Sequence, residues 1–417
     1  MSEMTSRERV YAAANHQEPD RVPICFAGHS CSGITECPPD YLLTSKLYEH
    51  LGIEDADPPF ISPWMNICLN VDERVLQRFR SDMRLVYAFS PLWIDEPDGT
   101  KTWPWNMGMR IKKTGLYDDP FEFPMKDMTT EEDIADYPWP DPANTPSVAP
   151  PELVDMIRSL QEETGYFLVA DSFYDSWPFN GYAFVSGMDK WLIDMKIRPK
   201  FYHKLAERML EITLQVDADF YSKVGPYVDA AQIYDDLGTQ ERLLMSPQDY
   251  REFYKPYTAE IVKNIRKYIR PEAKILLHSC GAISEVIPDL IEIGVDILNP
   301  VQPLAKNMEP ERLKKEFGKD LCFMGGLDIQ QLLPLGRPEE IREGAKKLIA
   351  QYGEGGGFIF APSHNIEPDS SPKNICAMFD AAQEFGRYPV APLEGETFVE
   401  YVRSLNLQDR DLSLKAL

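Results

Sequence analysis

The chain has 417 residues, 43% of them hydrophobic, and a formal net charge of −24 with a sequence pI of about 4.7. This acidity argues against nucleic acid or an anionic membrane as a partner, because both bind basic surfaces, and the apolar runs fall well short of the roughly 20 residues of a membrane span. Seven scattered cysteines and a charged N-terminal segment without an apolar stretch predict a cytoplasmic protein with reduced thiols. The charge suits a neutral ligand or a protein partner, although solubility alone would also explain it.

The first 150 residues are irregular and rich in proline, tryptophan and aspartate. The clearest element is an opening helix over 6–16, because Thr5 and Glu8 form a capping-box pattern at its start. The other predicted elements are a buried strand over 21–27, a helix over 41–51, short strands over 82–87, around Trp93 and over 107–112, and a proline-dense loop over 136–151. We expect this region to form lid-like insertions.

From 151 to 390 predicted strands and helices alternate regularly. The strands are 166–170, 228–234, 274–278, 296–298, 321–324 and 357–361, and the helices are 151–164, 188–197, 200–224, 247–269, 283–293, 309–317, 338–352 and 372–385. With 22–27 and a strand near 83–87 the count reaches eight, the number of a (β/α)8 TIM barrel. A doubly wound open sheet normally needs fewer strands, and no GxGxxG turn opens a helix here. We therefore expect an α/β fold with one barrel domain over 1–417.

The strongest candidate site is His278-Ser279-Cys280-Gly281 at the end of a predicted strand. Catalytic groups of barrels lie at the carboxyl ends of strands, and at spacing i, i+2 an extended chain points both side chains the same way. His278 and Cys280 could then bind one zinc ion, with His364 as a third ligand and one position left open. Without a metal, His278 would be a polar residue at a strand end and Cys280 a small buried thiol. His364 would then bind substrate or make a structural hydrogen bond.

Acidic and aromatic residues supply the other candidates. Asp235 and Asp236 follow a predicted strand and join His278 as candidate catalytic residues, but only one carboxylate should enter the site because adjacent side chains face opposite ways. The triplet His29-Ser30-Cys31 is open to three interpretations: a metal ligand, a pocket wall or a surface loop. Aromatic residues of the front half suit a flat apolar ligand, or else a lid with its own small core. The candidate substrate-binding residues are Phe26, His29, Trp64, Phe173, Tyr234, Gln302 and Asn365.

Six blocks that together span almost the whole chain resemble the uroporphyrinogen decarboxylase family. They are RERVYAAANHQEPDRVPI at 7–24, DDLGTQERLLMSPQDYREFYKPY at 235–257, HSCG at 278–281, DILNPVQPLA at 296–305, MGGLDIQQLLPLGRPEEIRE at 324–343 and GGGFIFAPSHNIEPDSSPKNI at 355–375. The decarboxylases carry an arginine-rich loop after the first strand, whereas no arginine occurs here from 23 to 72. The resemblance is therefore closer to the methyltransferase branch, in which zinc is bound by a His-x-Cys pair and a distant cysteine.

His278 and Cys280 match that pair, whereas His364 stands at or next to the place of the distant cysteine. The resemblance implies a zinc enzyme that transfers a methyl group from a small donor to the cobalamin of a separate corrinoid protein. We expect a methoxylated aromatic donor, and thus O-demethylation, with Asp235 or Asp236 assisting the metal at the leaving oxygen. The alternatives are a cofactor-free decarboxylase and a non-catalytic corrinoid-binding barrel. The oligomeric state is left open, with a homodimer as one possibility.

Overall fold

A parallel sheet of seven strands forms the centre of the protein. The computed structural model describes residues 3–37, 41–62, 66–88, 94–103, 109–113, 118–144, 147–172 and 179–410. Its strands are β1 (Met83–Tyr87), β2 (Ile94–Asp95), β3 (Lys101–Trp103), β4 (Met109–Lys113), β5 (Asp118–Glu122), β6 (Phe167–Asp171), β7 (Ala230–Tyr234), β8 (Lys274–His278), β9 (Ile297–Asn299), β10 (Cys322–Leu327) and β11 (Phe358–Pro362). The parallel sheet has the order β1-β6-β7-β8-β9-β10-β11, which confirms the predicted parallel α/β arrangement and fits a TIM-like fold.

Helices follow the strands of the parallel sheet and cover it. They are Ser6–Ala14, Leu43–Leu51, Glu73–Arg78, Glu131–Asp136, Pro151–Glu163, Phe179–Ser186, Met188–Ile197, Pro199–Val224, Pro247–Phe253, Lys255–Ile265, Ile287–Glu292, Pro310–Phe317, Leu332–Leu335, Pro338–Tyr352, Pro372–Phe385 and Phe398–Ser404. In the described part of the chain, no helix combines the length and apolar character needed to span a membrane.

The helix predicted over 247–269 and the strand predicted over 21–27 have a different form in the structure. The long helix expected over 247–269 is two helices, Pro247–Phe253 and Lys255–Ile265, which meet at Tyr254. Pro256 has no backbone N–H, so an uninterrupted helix would lose a hydrogen bond there. The strand expected over 21–27 is reduced to two isolated bridges, an antiparallel one between Arg21 and Arg387 and a parallel one between Ile24 and Phe360 of β11. Its backbone nevertheless reaches both edges of the sheet, because Ile24 also accepts a hydrogen bond from the N–H of Asp82 at 2.7 Å.

A second, antiparallel sheet has the order β2-β3-β4-β5. The short strands predicted around Trp93 and over 107–112 lie next to or within this sheet, although Trp93 itself is outside the described residues. The pairing of four strands was not predicted, because short irregular segments carry too little periodicity to show which of them pair.

The interior of the parallel sheet is filled by alternate residues of successive strands. The buried side chains of this inner cluster are Cys25, Met83, Phe167, Val169, Ala230, Leu276, Ile297, Cys322, Met324, Ile359 and Ala361, together with Val10 and Ala14 of the opening helix. Because the strands are covered on both faces, they read as continuous apolar runs in the sequence. The cluster identifies the residue of each strand that points inward. Because side chains alternate along a strand, it also identifies which residue points inward at the carboxyl end of that strand.

Three aspartates, two of them fully buried, hydrogen-bond to the backbone at the amino-terminal end of the parallel sheet. Asp82, Asp229 and Asp296 immediately precede β1, β7 and β9, and each accepts a backbone N–H bond from a neighbouring segment at 2.7 to 2.9 Å. Arg9 of the opening helix donates to Asp82 at 2.7 Å, and Arg7 donates to Asp229 at 3.2 Å. The predicted capping box of this helix is confirmed. The opening helix therefore closes the amino-terminal end of the sheet, and the carboxyl-terminal end remains for a site.

Glu340 provides a test of the packing between the C-terminal segment and this framework. Both Nη atoms of Arg410 donate to its carboxylate at 2.6 and 2.7 Å. These hydrogen bonds lower the pKa of Glu340 to about 2, despite the opposing effect of burial. We expect Glu340→Gln to lower the free energy of unfolding by about 1–3 kcal/mol at pH 7, measured by urea denaturation.

The pH dependence of this loss has a fixed sign. A depressed carboxyl pKa stabilises the folded state fully above its ordinary value, and this contribution disappears as the pH falls towards 2. The difference between wild type and Glu340→Gln should therefore shrink from pH 7 to pH 2.5. Glu339→Gln is the control, because the Glu339 side chain is 65% exposed and should contribute less than about 0.5 kcal/mol. An undiminished difference at low pH would contradict the assignment.

Candidate metal site

Polar side chains continue the inward alternation at the carboxyl ends of β7, β8 and β9. On β8, Leu276 belongs to the inner cluster and His278 is the next inward residue. The same spacing leads from Ile297 to Asn299 on β9, and from Ala230 to Gln232 and Tyr234 on β7. In register, His278 lies between Tyr234 and Asn299. The strand pattern therefore gathers these polar groups at one end of an apolar interior.

His278 is held by Asn299. The Nδ1 atom of His278 lies 2.6 Å from Oδ1 of Asn299, and the amide group of Asn299 in turn donates to the carbonyl of Met324 at 3.2 Å. Since the Asn299 amide donates to Met324, its oxygen accepts, so the hydrogen of the imidazole is on Nδ1. The Nε2 atom is left with its lone pair, and it lies 3.5 Å from Sγ of Cys280. This is the tautomer that a metal ligand needs.

The turn that carries Cys280 is fixed by backbone hydrogen bonds. Ser279 donates to the carbonyl of Asn299 at 2.8 Å, and Gly281 donates to Oε1 of Gln302 at 2.9 Å. Gly281 has a φ of +85°, a conformation that L side chains rarely adopt. Gln302, a predicted substrate-binding residue, therefore supports the turn, and Gln240 donates to the same oxygen at 2.7 Å.

His364 completes a group of three potential ligands. One ligand atom from each of His278, Cys280 and His364 lies within 4.8 Å of the others, and no other such group occurs among the described residues. The rings of the two histidines are 5.4 Å apart. Burial and the neighbouring His278 lower the pKa of His364 to about 4, so its imidazole is neutral at neutral pH and can bind a metal.

The charges around these groups are acidic. Burial raises the pKa of the Cys280 thiol well above its usual range, and Asp236 and Cys31 raise it further. Within the described part of the chain, the titratable groups that act on Cys280 and His364 are Asp236, Cys31 and His278, and none of them is an arginine or lysine. A thiolate at Cys280 therefore needs a cation beside it, which a bound metal would provide.

The two adjacent aspartates face different surroundings. Asp236 accepts a hydrogen bond from the N–H of Cys280 at 2.8 Å, and its Oδ1 lies 3.7 Å from Nε2 of His278. Asp235 is fully buried and accepts from the hydroxyl of Tyr254 at 3.2 Å. Asp236 is therefore the carboxylate next to the three potential ligands.

The surface-loop interpretation of His29-Ser30-Cys31 is wrong. All three residues are buried, each with 1% of its surface exposed. Ser30 accepts a hydrogen bond from the amide of Gln232 at 2.8 Å and also hydrogen-bonds to the hydroxyl of Tyr234. That hydroxyl donates to Asp171, and the ring of Tyr234 is 6.1 Å from the ring of His278. The triplet thus lies against the same end of the sheet as the potential ligands.

The remaining predicted substrate-binding residues divide into three cases. Phe26 is a correction, because it is fully buried between Phe79 and Phe379 and has no surface for a ligand. Asn365 is also fully buried; it accepts from the N–H of Gly33 at 2.8 Å and donates to the carbonyl of Ser30 at 3.2 Å, so it joins two loops. Trp64 and Phe173 lie outside the described residues.

Sequence reasoning gave neither Asn299 nor Gln232 a role in the site, although Asn299 follows a predicted strand. Each lies two residues after an inward-facing residue of the inner cluster. The alternation along the strands could have identified them, because the side-chain period of a strand is two.

Comparison with known proteins places these features in a family context. The profile of the family "Uroporphyrinogen decarboxylase (URO-D)" matches residues 102–385. Uroporphyrinogen decarboxylase of Chlorobaculum tepidum is 27% identical over 240 residues, 56% of this chain and 64% of that protein. The enzyme of Chlorobium phaeobacteroides is 28% identical over 207 residues, 49% of this chain and 53% of that protein. The chain thus spans between half and two thirds of the length of these curated relatives.

A solved structure shares the fold over nearly the whole chain. A methyltransferase from Methanosarcina mazei superposes with a TM-score of 0.60 and 17% identity, covering 92% of this chain and 99% of that one. At this level of identity the likeness shows a common fold, and activity has to be argued from the site.

Gly281 allows the geometry of the HSCG turn to be tested. A Cβ atom on Gly281 would lie 2.4 Å from the carbonyl oxygen of Gly238, in addition to the strain of the positive φ. We expect Gly281→Ala to lower the free energy of unfolding by more than about 3 kcal/mol in a denaturation experiment. Gly355→Ala is the control, because Gly355 has a φ of +74° and open space around it; it should cost about 1–2 kcal/mol. Equal losses would show that the turn is not closely packed.

Proposed function

The chain belongs to the uroporphyrinogen decarboxylase family, and we propose that it is a zinc-dependent methyltransferase of this family that transfers a methyl group from a small donor to a separate corrinoid protein. The observation that carries the proposal is the convergence of His278, Cys280 and His364, whose ligand atoms lie within 4.8 Å of one another. Three protein ligands and one open position are the arrangement of a catalytic zinc site. The methyltransferase name of the solved structural neighbour agrees with this proposal but adds only its fold.

The residues at the site fit zinc better than the other common cations. One sulfur and two imidazole nitrogens favour zinc over magnesium or calcium, which prefer oxygen ligands. Asn299 holds His278 in the tautomer that leaves Nε2 available. Burial keeps His364 neutral. Both imidazoles can therefore bind a cation as they stand, whereas the thiol of Cys280, which lies 3.5 Å from Nε2 of His278, would lose its proton when the metal binds.

The presence of His364 as a second neutral imidazole ligand favours a reaction in which the metal acts as a Lewis acid. A zinc ion held by one thiolate and two neutral imidazoles would keep a net positive charge and act as a Lewis acid on the oxygen that leaves a methyl ether. We propose a methoxylated aromatic compound as the donor, so that the overall reaction is an O-demethylation. Asp236 would orient Cys280 through the hydrogen bond from its N–H at 2.8 Å. Asp235 is not part of this proposal, because it faces Tyr254.

The alternative is a decarboxylase that acts without a cofactor. The names of the curated relatives favour it, although the identities are only 27 and 28%. A substrate with several carboxylates needs basic groups in the site. In the described part of the chain, the charges found near His364 and Cys280 are instead acidic or imidazole groups. For this reason we prefer the methyltransferase.

Metal analysis and a transfer assay together test the proposed function. We expect about one zinc ion per chain in the wild type, and much less in Cys280→Ser and His364→Ala, because each variant removes one of three ligands. Wild type with a methoxyarene and a Co(I) corrinoid protein should release the demethylated phenol, and chelation should abolish the reaction. Cys322→Ser is the control, because Cys322 is a buried cysteine of the inner cluster.

The first of two contrary outcomes would reject the methyltransferase, and the second would reject the methoxylated aromatic donor. The first is metal-free protein that decarboxylates a porphyrinogen at a rate unaffected by a chelator. The second is zinc-loaded protein that demethylates no methoxyarene while it uses methylamines or thiols.

Asn299 offers a second test that needs no knowledge of the donor. Asn299→Leu removes the hydrogen bond to Nδ1 of His278. We expect the affinity for zinc, measured by competition with a chelating dye, to fall about 10- to 100-fold. Asn374→Leu is the matched control, because Asn374 is also buried and its amide donates to the carbonyls of Leu333 and Gly336 at 2.8 and 3.0 Å. An equal loss in both variants would mean that the effect is general destabilisation.

A further inference from the structure

The helix Met188–Ile197 reverses the usual arrangement of a surface helix, with charged residues buried on its inner side and apolar residues exposed on its outer side. Lys190 and Asp194 are buried, and Lys190 donates a hydrogen bond to Asp194. Tyr182 and Arg198 also donate to this carboxylate, each at 2.8 Å. Because buried charges are costly unless they are paired, these contacts within the chain fix which side of the helix faces inward.

The outer side of the same helix is mainly apolar. Met188, Ile193 and Ile197 are 46, 46 and 63% exposed. They are three of the five large hydrophobic side chains that are exposed in the described part of the chain. Leu192 belongs to the same side and is partly exposed. Apolar side chains that are clustered on one surface, rather than scattered singly, are typical of surfaces that bind another protein.

Two charged residues complete this surface and give it a symmetric order. The exposed and partly exposed residues of the helix, its outer face, are Met188, Asp189, Leu192, Ile193, Lys196 and Ile197. They form two adjacent rows at spacing i, i+4, which are the ridges through which helices commonly pack. Their positions mirror one another about a point between 192 and 193. A two-fold axis through this point would therefore bring the outer face of one copy onto the same face of another.

Antiparallel packing across such an axis makes the outer face complementary to itself. The facing residues of the two copies would be Met188 with Ile197, Leu192 with Ile193, and Asp189 with Lys196. Apolar side chains then meet at the centre and at both ends, and two ion pairs form between the copies. Lys196 also donates to Asp249 of its own chain at 2.5 Å, but an ammonium group has three donors and can bond to both carboxylates. Parallel packing would instead place like charges opposite each other.

We infer that the outer face of the helix Met188–Ile197 is an interface for a second copy of this chain, with the two helices antiparallel across a two-fold axis. The mirrored order of Asp189 and Lys196 favours a second copy, because a different protein would not require it. One helix pair lies at the small end of specific protein interfaces, so we expect a reversible dimer with a Kd on the order of 1–100 µM.

Sedimentation equilibrium of the purified protein tests this interface. The molar mass should approach twice the chain's 47.8 kDa as the concentration rises through the expected range. Ile193→Glu places a charge at the centre of the interface and should weaken self-association at least about 100-fold. Met156→Glu is the matched control, because Met156 is 49% exposed but lies on the helix Pro151–Glu163; its self-association should equal that of wild type.

Exchange of the charged residues tests the antiparallel arrangement. Asp189→Lys and Lys196→Glu each place like charges opposite each other twice, and each should weaken self-association about tenfold or more. An equimolar mixture of the two variants should recover the affinity of wild type, because both facing pairs of a mixed dimer are again opposite in charge. Recovery in the mixture would also show that both variants are folded.

Three results would overturn the interface. Wild type that is still monomeric at about ten times the expected Kd range has no such dimer. Dimers that persist in Ile193→Glu form through another surface, and a mixture that does not recover rejects the antiparallel arrangement. If wild type is monomeric and Ile193→Glu instead abolishes binding of a corrinoid protein, the outer face binds that partner and not a second copy.

Discussion

The hydrogen bond between His278 and Asn299 is the interaction on which the candidate site depends most. It joins the ends of two neighbouring strands, β8 and β9, at 2.6 Å and selects the imidazole tautomer with a free Nε2. Asn299 is itself held by a hydrogen bond to the carbonyl of Met324 on β10. Residues of three strands, β8, β9 and β10, therefore determine that the lone pair on Nε2 of His278 is available. A rigid sheet thereby prepares His278 to bind a cation, and the HSCG turn adds the sulfur of Cys280 nearby.

The loop that carries His29 is linked to the potential ligands through Asn365. Asn365 directly follows His364 and hydrogen-bonds to the backbone of Ser30 and Gly33 at 3.2 and 2.8 Å. A shift of the loop that carries His29 would therefore also move His364, because side-chain and main-chain hydrogen bonds join this loop to the segment that carries His364.

Much of the fold can be predicted from short sequence patterns alone. The apolar runs of β6 to β11 predict buried parallel strands, and the Thr5–Glu8 pattern predicts the start of the opening helix. Local signals fail where pairing decides the outcome. The segment 21–27 has the composition of a strand but forms only isolated bridges, and the antiparallel sheet β2–β5 depends on partners that no local pattern specifies.

The sequence by itself determined the residue types and spacing of the candidate site: an imidazole and a thiol two residues apart at a strand end, and another imidazole after a later strand. Only the tertiary structure decided that His364 meets this pair, that Asp236 faces it while Asp235 faces Tyr254, and that Phe26 belongs to the core. The physical reason is that strand periodicity fixes the side to which a residue points, whereas the order and curvature of the sheet fix which strand ends come close together.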